Sequence, residues 1–356
     1  MSQQPFADVA PMEGGFSLPE LKWRELLFVG ALRPEAGAFV RDPSRPLPPF
    51  RASGLFPDGV RLKAARDGDR VIVSREDGRP LRPVDAAPAA PLLHSDVALA
   101  RRLEAAEAAG AAACARTLAR LDPSAGAAVL DVGGGVAAFL GVGSPLTHAT
   151  GVGLAGPVAA AELDAVEDFY GARGSSTLLE ISPLADFGLF EALSRRGYRI
   201  VELAMVLARE LAGVAPAPPP QGVELEACGS GREDLWARTL ALGFHGTDGD
   251  PSLLLAGRVL AEQAGPGALL ARVDGRVAGG GALASVGGVA CFFADATLAA
   301  ERGRGVQSAL IARRLTLAAE AGCALAMAST APGSVSQRNY ERAGFRVAYT
   351  RVCLLR

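Results

Sequence analysis

Cysteine is sparse in this chain of 356 residues: Cys114, Cys228, Cys291, Cys323 and Cys353 are scattered singly. That spacing excludes a disulfide framework and a zinc site built on cysteine pairs, and no metal centre is expected. A surplus of positive charge is missing as well. The formal net charge is −2, so no broad basic field for nucleic acid is implied. The N-terminus has no basic stretch followed by an apolar core, which argues against secretion. With the unpaired cysteines, this makes a reducing cytoplasm the expected setting. The uncharged run 132–161 is long enough to span a bilayer, but its glycines, Pro145 and Pro157 make it a poor membrane helix, so no membrane partner is expected.

Two nucleotide motifs are also absent. A Walker loop needs Lys and Ser/Thr after its second glycine, where this chain has Val306 and Gln307 after Gly305. A dinucleotide fingerprint needs a third glycine and an acidic residue about twenty positions on. Neither is there.

What is present is a strand-like run, 289–298, then Glu301-Arg302-Gly303-Arg304-Gly305-Val306-Gln307-Ser308-Ala309, then a helix with Val306, Leu310, Ile311, Leu315 and Ala318 at helical spacing. A helix start leaves backbone N–H groups without intrahelical acceptors, and its dipole favours an anion. Two arginines add charge, and two glycines admit a ligand to the backbone. The alternative is a solvated arginine turn at an ordinary strand-to-helix connection.

This stretch resembles the acetyl-CoA loop of the GNAT superfamily of N-acetyltransferases, whose pattern is Gln/Arg-x-x-Gly-x-Gly/Ala. Arg302, Gly305 and the start at Val306 match; Gln307 departs from the final small residue. A second stretch, 336–345, resembles the family's late helix ending in Tyr-x-x-x-Gly-Phe, here Tyr340 to Gly344-Phe345. The resemblance implies acetyl-CoA as co-substrate, bound by Ala296, Thr297, Leu298, Arg302, Gly303, Arg304, Gly305, Val306, Gln307, Ser308 and Asn339. It makes Tyr340 the expected general acid, although a tyrosine packed on the sheet reads the same way. Ser336 and Asn339 could equally cap their helix.

Asp295 is the expected base, because strand alternation puts Cys291, Phe293, Asp295 and Thr297 on one face near the ligand gap. A water-exposed edge aspartate is the competing reading. His245 and Asp248 fall where the family places its acceptor-recognition loop and are expected substrate contacts. The implied acceptor is a small-molecule or peptide amine, and the implied state a monomer or homodimer. A non-catalytic CoA-binding or interaction protein on the same scaffold is the alternative.

Element order supports the resemblance over 222–356, which reads βααβββαβαβ, including a hairpin turned at Asp274-Gly275. The proline-rich stretch 214–221 reads as a linker. Upstream of it, Leu189 to Ile200 repeats the form of Tyr340 to Val347, and the offset from Gly197 to Gly344, 344 − 197, is 147 residues. An internal duplication is expected, with its first copy lacking any basic residue in the loop 150–157 and packing against the active copy, where it lines the acceptor pocket. Val129 to Gly135 resembles a methyltransferase glycine loop, but the glycines and Pro145 that follow favour a hairpin corner. The expected fold class is thus α/β (α+β), two GNAT-like mixed-sheet domains in tandem (91–213, degenerate; 222–356, catalytic) after an accessory segment, 1–90. That segment is expected to hold a strand hairpin around 70–78 and a linker at 86–91.

Overall fold

The computed structural model describes residues 95–214 and 222–356 and, before them, the backbone of five strands. The chain divides into two units, 1–92 and 93–356. In the first, β1 (Val9–Ala10), β2 (Leu32–Glu35), β3 (Ala38–Arg41), β4 (Leu62–Asp67) and β5 (Arg70–Arg75) form a sheet ordered β2-β3-β1-β5-β4. The strand expected at Arg70 is there, and it pairs antiparallel with β4, the strand before it. Residues 76–78, 86–91 and 215–221, expected as a turn and two linkers, lie outside the described residues.

The second unit begins with α1 (Val97–Leu121), an alanine-rich helix whose N-cap Asp96 accepts the Leu99 N–H at 2.7 Å. There follow β6 (Ala128–Val132), β7 (Gly135–Phe139), β8 (His148–Thr150), α2 (Ala160–Gly171), β9 (Leu178–Ile181), α3 (Phe187–Arg195) and β10 (Arg199–Glu210). The later half contains β11 (Val223–Ala227), α4 (Glu233–His245), α5 (Pro251–Ala264), β12 (Leu269–Val273), β13 (Arg276–Val286), β14 (Val289–Thr297), α6 (Val306–Glu320), β15 (Leu325–Thr330), α7 (Val335–Arg342) and β16 (Arg346–Leu355). The expected order over 222–356 is the observed one. Gly133-Gly134 closes a hairpin between β6 and β7, so the methyltransferase-like glycines are a turn.

All eleven strands join in one sheet, ordered β11-β12-β13-β14-β15-β10-β16-β9-β8-β7-β6. The last strand of each half is exchanged: β10 pairs with β15 of the later half, and β16 with β9 of the earlier one. The two exchanged strands pair antiparallel at the centre, and their register is self-complementary under the 147-residue offset. Arg199 pairs with Leu355 and, as the mirror of that pair, Ala208 with Arg346. The extra residue on each strand is Val201 on β10 and Ala348 on β16, again 348 − 201 = 147 apart. The pair Ala204 with Arg351 maps onto itself and marks a pseudo-twofold axis. The duplication read from two helix ends is thus written in the pairing of the sheet.

Helices cover both faces. On one, α1 packs Leu99, Leu103 and Ala106 against Val206, Val289, Met327 and Tyr349 across the middle of the sheet. On the other, Leu207, Phe292, Ala326 and Ala328 pack with Ile311, Leu315, Tyr340 and Phe345 of α6, α7 and the turn after it.

Candidate functional site

β14 and β15 pair in parallel from Val289 with Leu325 to Phe292 with Ala328, and the pairing stops there. From Phe293 onward β14 has no partner on that side among the described residues, while Ala296 and Thr297 remain paired with β13. This matches the gap that the resemblance implies between these two strands, and Ala296 and Thr297, expected to contact the cofactor, lie along it. The Leu298 N–H is taken by the Ala278 carbonyl at 2.9 Å, which leaves that residue less to offer a ligand than expected.

At the mouth of the gap lies the arginine–glycine loop. Gly303 and Gly305 both have φ 80°, a left-handed conformation that L side chains resist, and Gly305 is the N-cap of α6. The first helical bond runs from the Ala309 N–H to the Gly305 carbonyl. The N–H groups of Gly303, Arg304, Gly305, Val306, Gln307 and Ser308 find no backbone acceptor among the described residues. Arg302 is exposed and touches the Gly243 carbonyl at 3.3 Å.

Arg304, an expected cofactor contact, is also engaged within the protein. Its guanidinium is paired with Asp274 at 2.8 Å and Glu301 at 2.9 Å, which raises its pKa and holds the loop against the β12–β13 turn. Gln307 does not point freely into the loop either. It donates to Ser336 Oγ at 2.8 Å and accepts from Asn339 Nδ2 at 2.8 Å, so the departure from the small-residue pattern and the expected cofactor residue Asn339 together tie α6 to α7.

Asp295 and Tyr340 meet, though on a different face from the one alternation gives. Between the pairs Gly280 with Ala296 and Ala282 with Phe293, β14 carries two residues against one, and Ala294 takes φ 58°. The bulge turns Asp295 away from Cys291 and Phe293 and onto the α6–α7 side. There its carboxylate is ion-paired with Arg314 and accepts the Tyr340 hydroxyl. Arg314 is fully buried. It donates to the Leu310 carbonyl at 3.1 Å and the Ala282 carbonyl at 2.9 Å, and lies 4.7 Å over the Phe292 ring. Room for this group comes from Gly281, where a Cβ would meet Asp295 Oδ1 at 2.8 Å and Arg314 Cζ at 3.3 Å. Burial, opposed by Arg314 and aided by Asp295, pushes the Tyr340 phenol well above its usual value, so the hydroxyl keeps its proton at neutral pH. Arg314 is the site residue that sequence reading missed. Its signal was its place four residues after Leu310, which puts it, unlike its neighbour Arg313, on the apolar stripe of α6.

Across the sheet, a cavity of about 550 Å³ opens against the end of the β14–β15 pairing. Its walls come from α1, α4 and α5, from Pro145 to His148, and from Cys291 to Ala294 and Met327 to Ser329. Leu240, Phe244, Leu253, Leu260 and Phe293 make it largely apolar, while Glu107, His148, Gln263 and His245 are polar. The expected contact His245 is therefore at the cavity. Asp248 is not among the lining residues; it pairs with Arg238 at 3.4 Å. Burial pushes the thiols of Cys114 and Cys291, both in the wall, up to about 12, which leaves them protonated and poorly nucleophilic.

No protein-family model and no curated protein matches the chain. Among solved structures, a GCN5-related N-acetyltransferase from Kribbella flavida is 24% identical, with a TM-score of 0.53 over 72% of this chain and 95% of that one. A tandem GNAT protein from the clavulanic acid biosynthesis pathway is 18% identical, with a TM-score of 0.47 over 73% of this chain and 93% of that one. A GCN5-related N-acetyltransferase from Sphaerobacter thermophilus is 19% identical, with a TM-score of 0.43 over 51% and 59%. With the first of these, and with the strand register that repeats at 147 residues, residues 93–356 have the fold of the GCN5-related N-acetyltransferases, laid out twice along the chain.

Proposed function

We propose that the later half, 222–356, transfers an acetyl group from acetyl-CoA to an amine. The observation that carries this reading is the open row of N–H groups from Gly303 to Ser308, set at the mouth of the β14–β15 gap. Those donors, the helix dipole and Arg302 suit a diphosphate. The unpaired edge of β14 beyond Phe292 suits the amides of a pantetheine arm, which would bind as an added strand. The cavity on the other face meets the gap where a thioester carried by that arm would end, and it receives the acceptor.

The chemistry needs little from the protein beyond placement. The neutral amine nitrogen bonds to the acetyl carbonyl carbon, the carbon–sulfur bond breaks, and the thiolate leaves. The amine's surplus proton goes to water, the thiolate takes one from the Tyr340 hydroxyl, and water returns a proton to the phenolate, so that amine and thioester become amide and thiol with the tyrosine unchanged. In this reading Asp295, bound to Arg314, serves to orient that hydroxyl instead of acting as the base. The donors Tyr340 and Arg314 also place positive potential where sulfur becomes anionic.

Calorimetry with acetyl-CoA, followed by a thiol-release assay over an amine panel, tests the proposal. Acetyl-CoA should bind and at least one amine should release thiol. Binding without release on any amine favours a non-catalytic CoA-binding protein, and no binding removes the reading altogether. Tyr340→Phe should slow thiol release about a hundredfold or more while acetyl-CoA affinity stays within twofold; equal rates would exclude the tyrosine as acid.

A further inference from the structure

Behind the cavity wall formed by α1 lies a buried cluster of charges, of which Glu107 reaches the cavity itself. Arg351, on the pseudo-twofold axis and 1% exposed, is held by three carboxylates: Glu104 at 2.9 Å, Glu180 at 2.8 Å, and Glu107. Glu104 is itself buried and also accepts the Tyr349 hydroxyl at 2.8 Å and the Thr150 hydroxyl at 2.9 Å. Burial opposes the charge on Glu180, but His148 and Arg351 hold its carboxyl below the usual glutamate value. Among the described residues, one guanidinium pairs with three acids, with His148 beside Glu180 alone. Interior charges that lack a counter-charge are costly, so such a cluster favours a further cation.

Glu107 is the member placed to receive one. It lines the cavity, its side chain is 28% exposed, and it lies on the same stripe of α1 as Gly110 and Cys114, which line it too. Around it the cavity has hydrogen-bonding groups left over. His148 Nδ1 and Gln263 Oε1 are buried without a hydrogen-bond partner among the described residues, and both residues line the same space. Buried polar atoms in native structures are normally satisfied, so two unpartnered atoms on residues that line one cavity are groups a bound ligand can satisfy once their side chains turn toward it. The remaining wall is apolar: Leu146, Leu240, Phe244, Leu253, Leu260 and Phe293.

We infer that this cavity takes a small apolar amine, its ammonium held by Glu107 and its body lying among these side chains. The inference rests on the acyl-transfer reading for its purpose, but not for its geometry. The earlier half, which has no phosphate loop of its own, then supplies the acceptor's counter-charge. A cavity of about 550 Å³ lies in the range that encloses a drug-sized molecule, and its apolar wall disfavours a polar peptide backbone.

The test uses the full chain without acetyl-CoA and measures binding by calorimetry. The probes are 4-phenylbutylamine, its uncharged counterpart 4-phenylbutanol, and the peptide Ala-Ala-Ala. The amine should bind about tenfold or more tighter than the alcohol and the peptide. Glu107→Gln should cut its affinity about tenfold or more and bring amine and alcohol level. Because Glu107 also pairs with Arg351, a second variant touches no charge: Ala256→Phe, in the wall of α5, should abolish binding of both phenyl probes. Amine and alcohol binding alike, tighter binding of the peptide, or no measurable binding of the amine would overturn the inference, as would indifference to both variants. A parallel acetyl-CoA titration separates the two proposals: Glu107-dependent amine binding in a chain that ignores acetyl-CoA leaves this site standing and removes the acetyltransferase.

Discussion

Two helices of this protein, α2 and α6, follow corresponding strands of the two halves, and their first turns are opposite in chemistry. In α6 the amides from Gly303 to Ser308 are left open beside Arg302. In α2 the first turn carries Glu162, whose carboxylate accepts the Ala159 N–H at 2.9 Å and the Gly133 N–H at 3.0 Å. Those backbone bonds pull the Glu162 pKa below the usual glutamate value. The earlier half therefore binds an anion of its own, covalently attached, where the later half keeps the place free. The same contrast recurs at the axis, where Arg351 of the later half faces Ala204 of the earlier. In the proposed reading, one copy serves as scaffold and wall while the other keeps the backbone that meets the ligand.

The comparison can be broken in four places. Arg351→Leu strikes the joint between the halves: it leaves Glu104 buried without its cation, a loss of about 3 to 5 kcal/mol by the cost of breaking buried pairs. Thermal unfolding should show the melting temperature fall steeply, and a variant as stable as the parent would mean that the axis does not depend on this charge. Arg302→Glu should weaken acetyl-CoA about tenfold to hundredfold with an unchanged melting temperature, the range for losing a contact to a charged group. Unchanged affinity would leave α6 no better an anion site than α2.

Glu162→Gln tests the other side. A group whose folded pKa is lowered contributes stability above its unfolded pKa and loses it as pH falls through the folded value. The variant should therefore melt slightly below the parent at neutral pH, with the gap closing as pH drops below the usual glutamate range, and acetyl-CoA affinity should not move. A gap that persists in acid would point to packing as the cause. The smallest effect is expected at Gln307→Ala, which removes the polar bridge from α6 to α7: acetyl-CoA affinity should change by no more than about threefold, since neutral hydrogen bonds contribute little. A larger loss would make the Gln307–Asn339 bridge part of the cofactor site.

Much of the later half was legible because its signals are local. Asp274-Gly275 adopts φ 52° and 74° at a hairpin turn, and Gly305 opens α6, each through a neighbour within a few residues. The face of Asp295 was not legible. Period-two reading assumes an unbroken strand, and the bulge at Ala294 depends on what β13, with Gly281, can accommodate. The ion pair of Arg304 was not legible for a similar reason: its partner Asp274 is thirty residues away in sequence and is brought close only by the sheet.

By itself, the sequence determined the elements, their order, the turn chemistry and the repeat at 147 residues, because propensity, capping and periodicity act over a few residues and each copy carries its own. Only the tertiary structure decided that the copies exchange their last strands across one sheet, that Arg351 meets Glu104 and Glu107 some 240 residues upstream, and that a cavity forms between a helix of one half and two helices of the other. Those outcomes depend on which surfaces come together when apolar faces are buried, and the free energy of that choice belongs to pairs of residues distant in the chain.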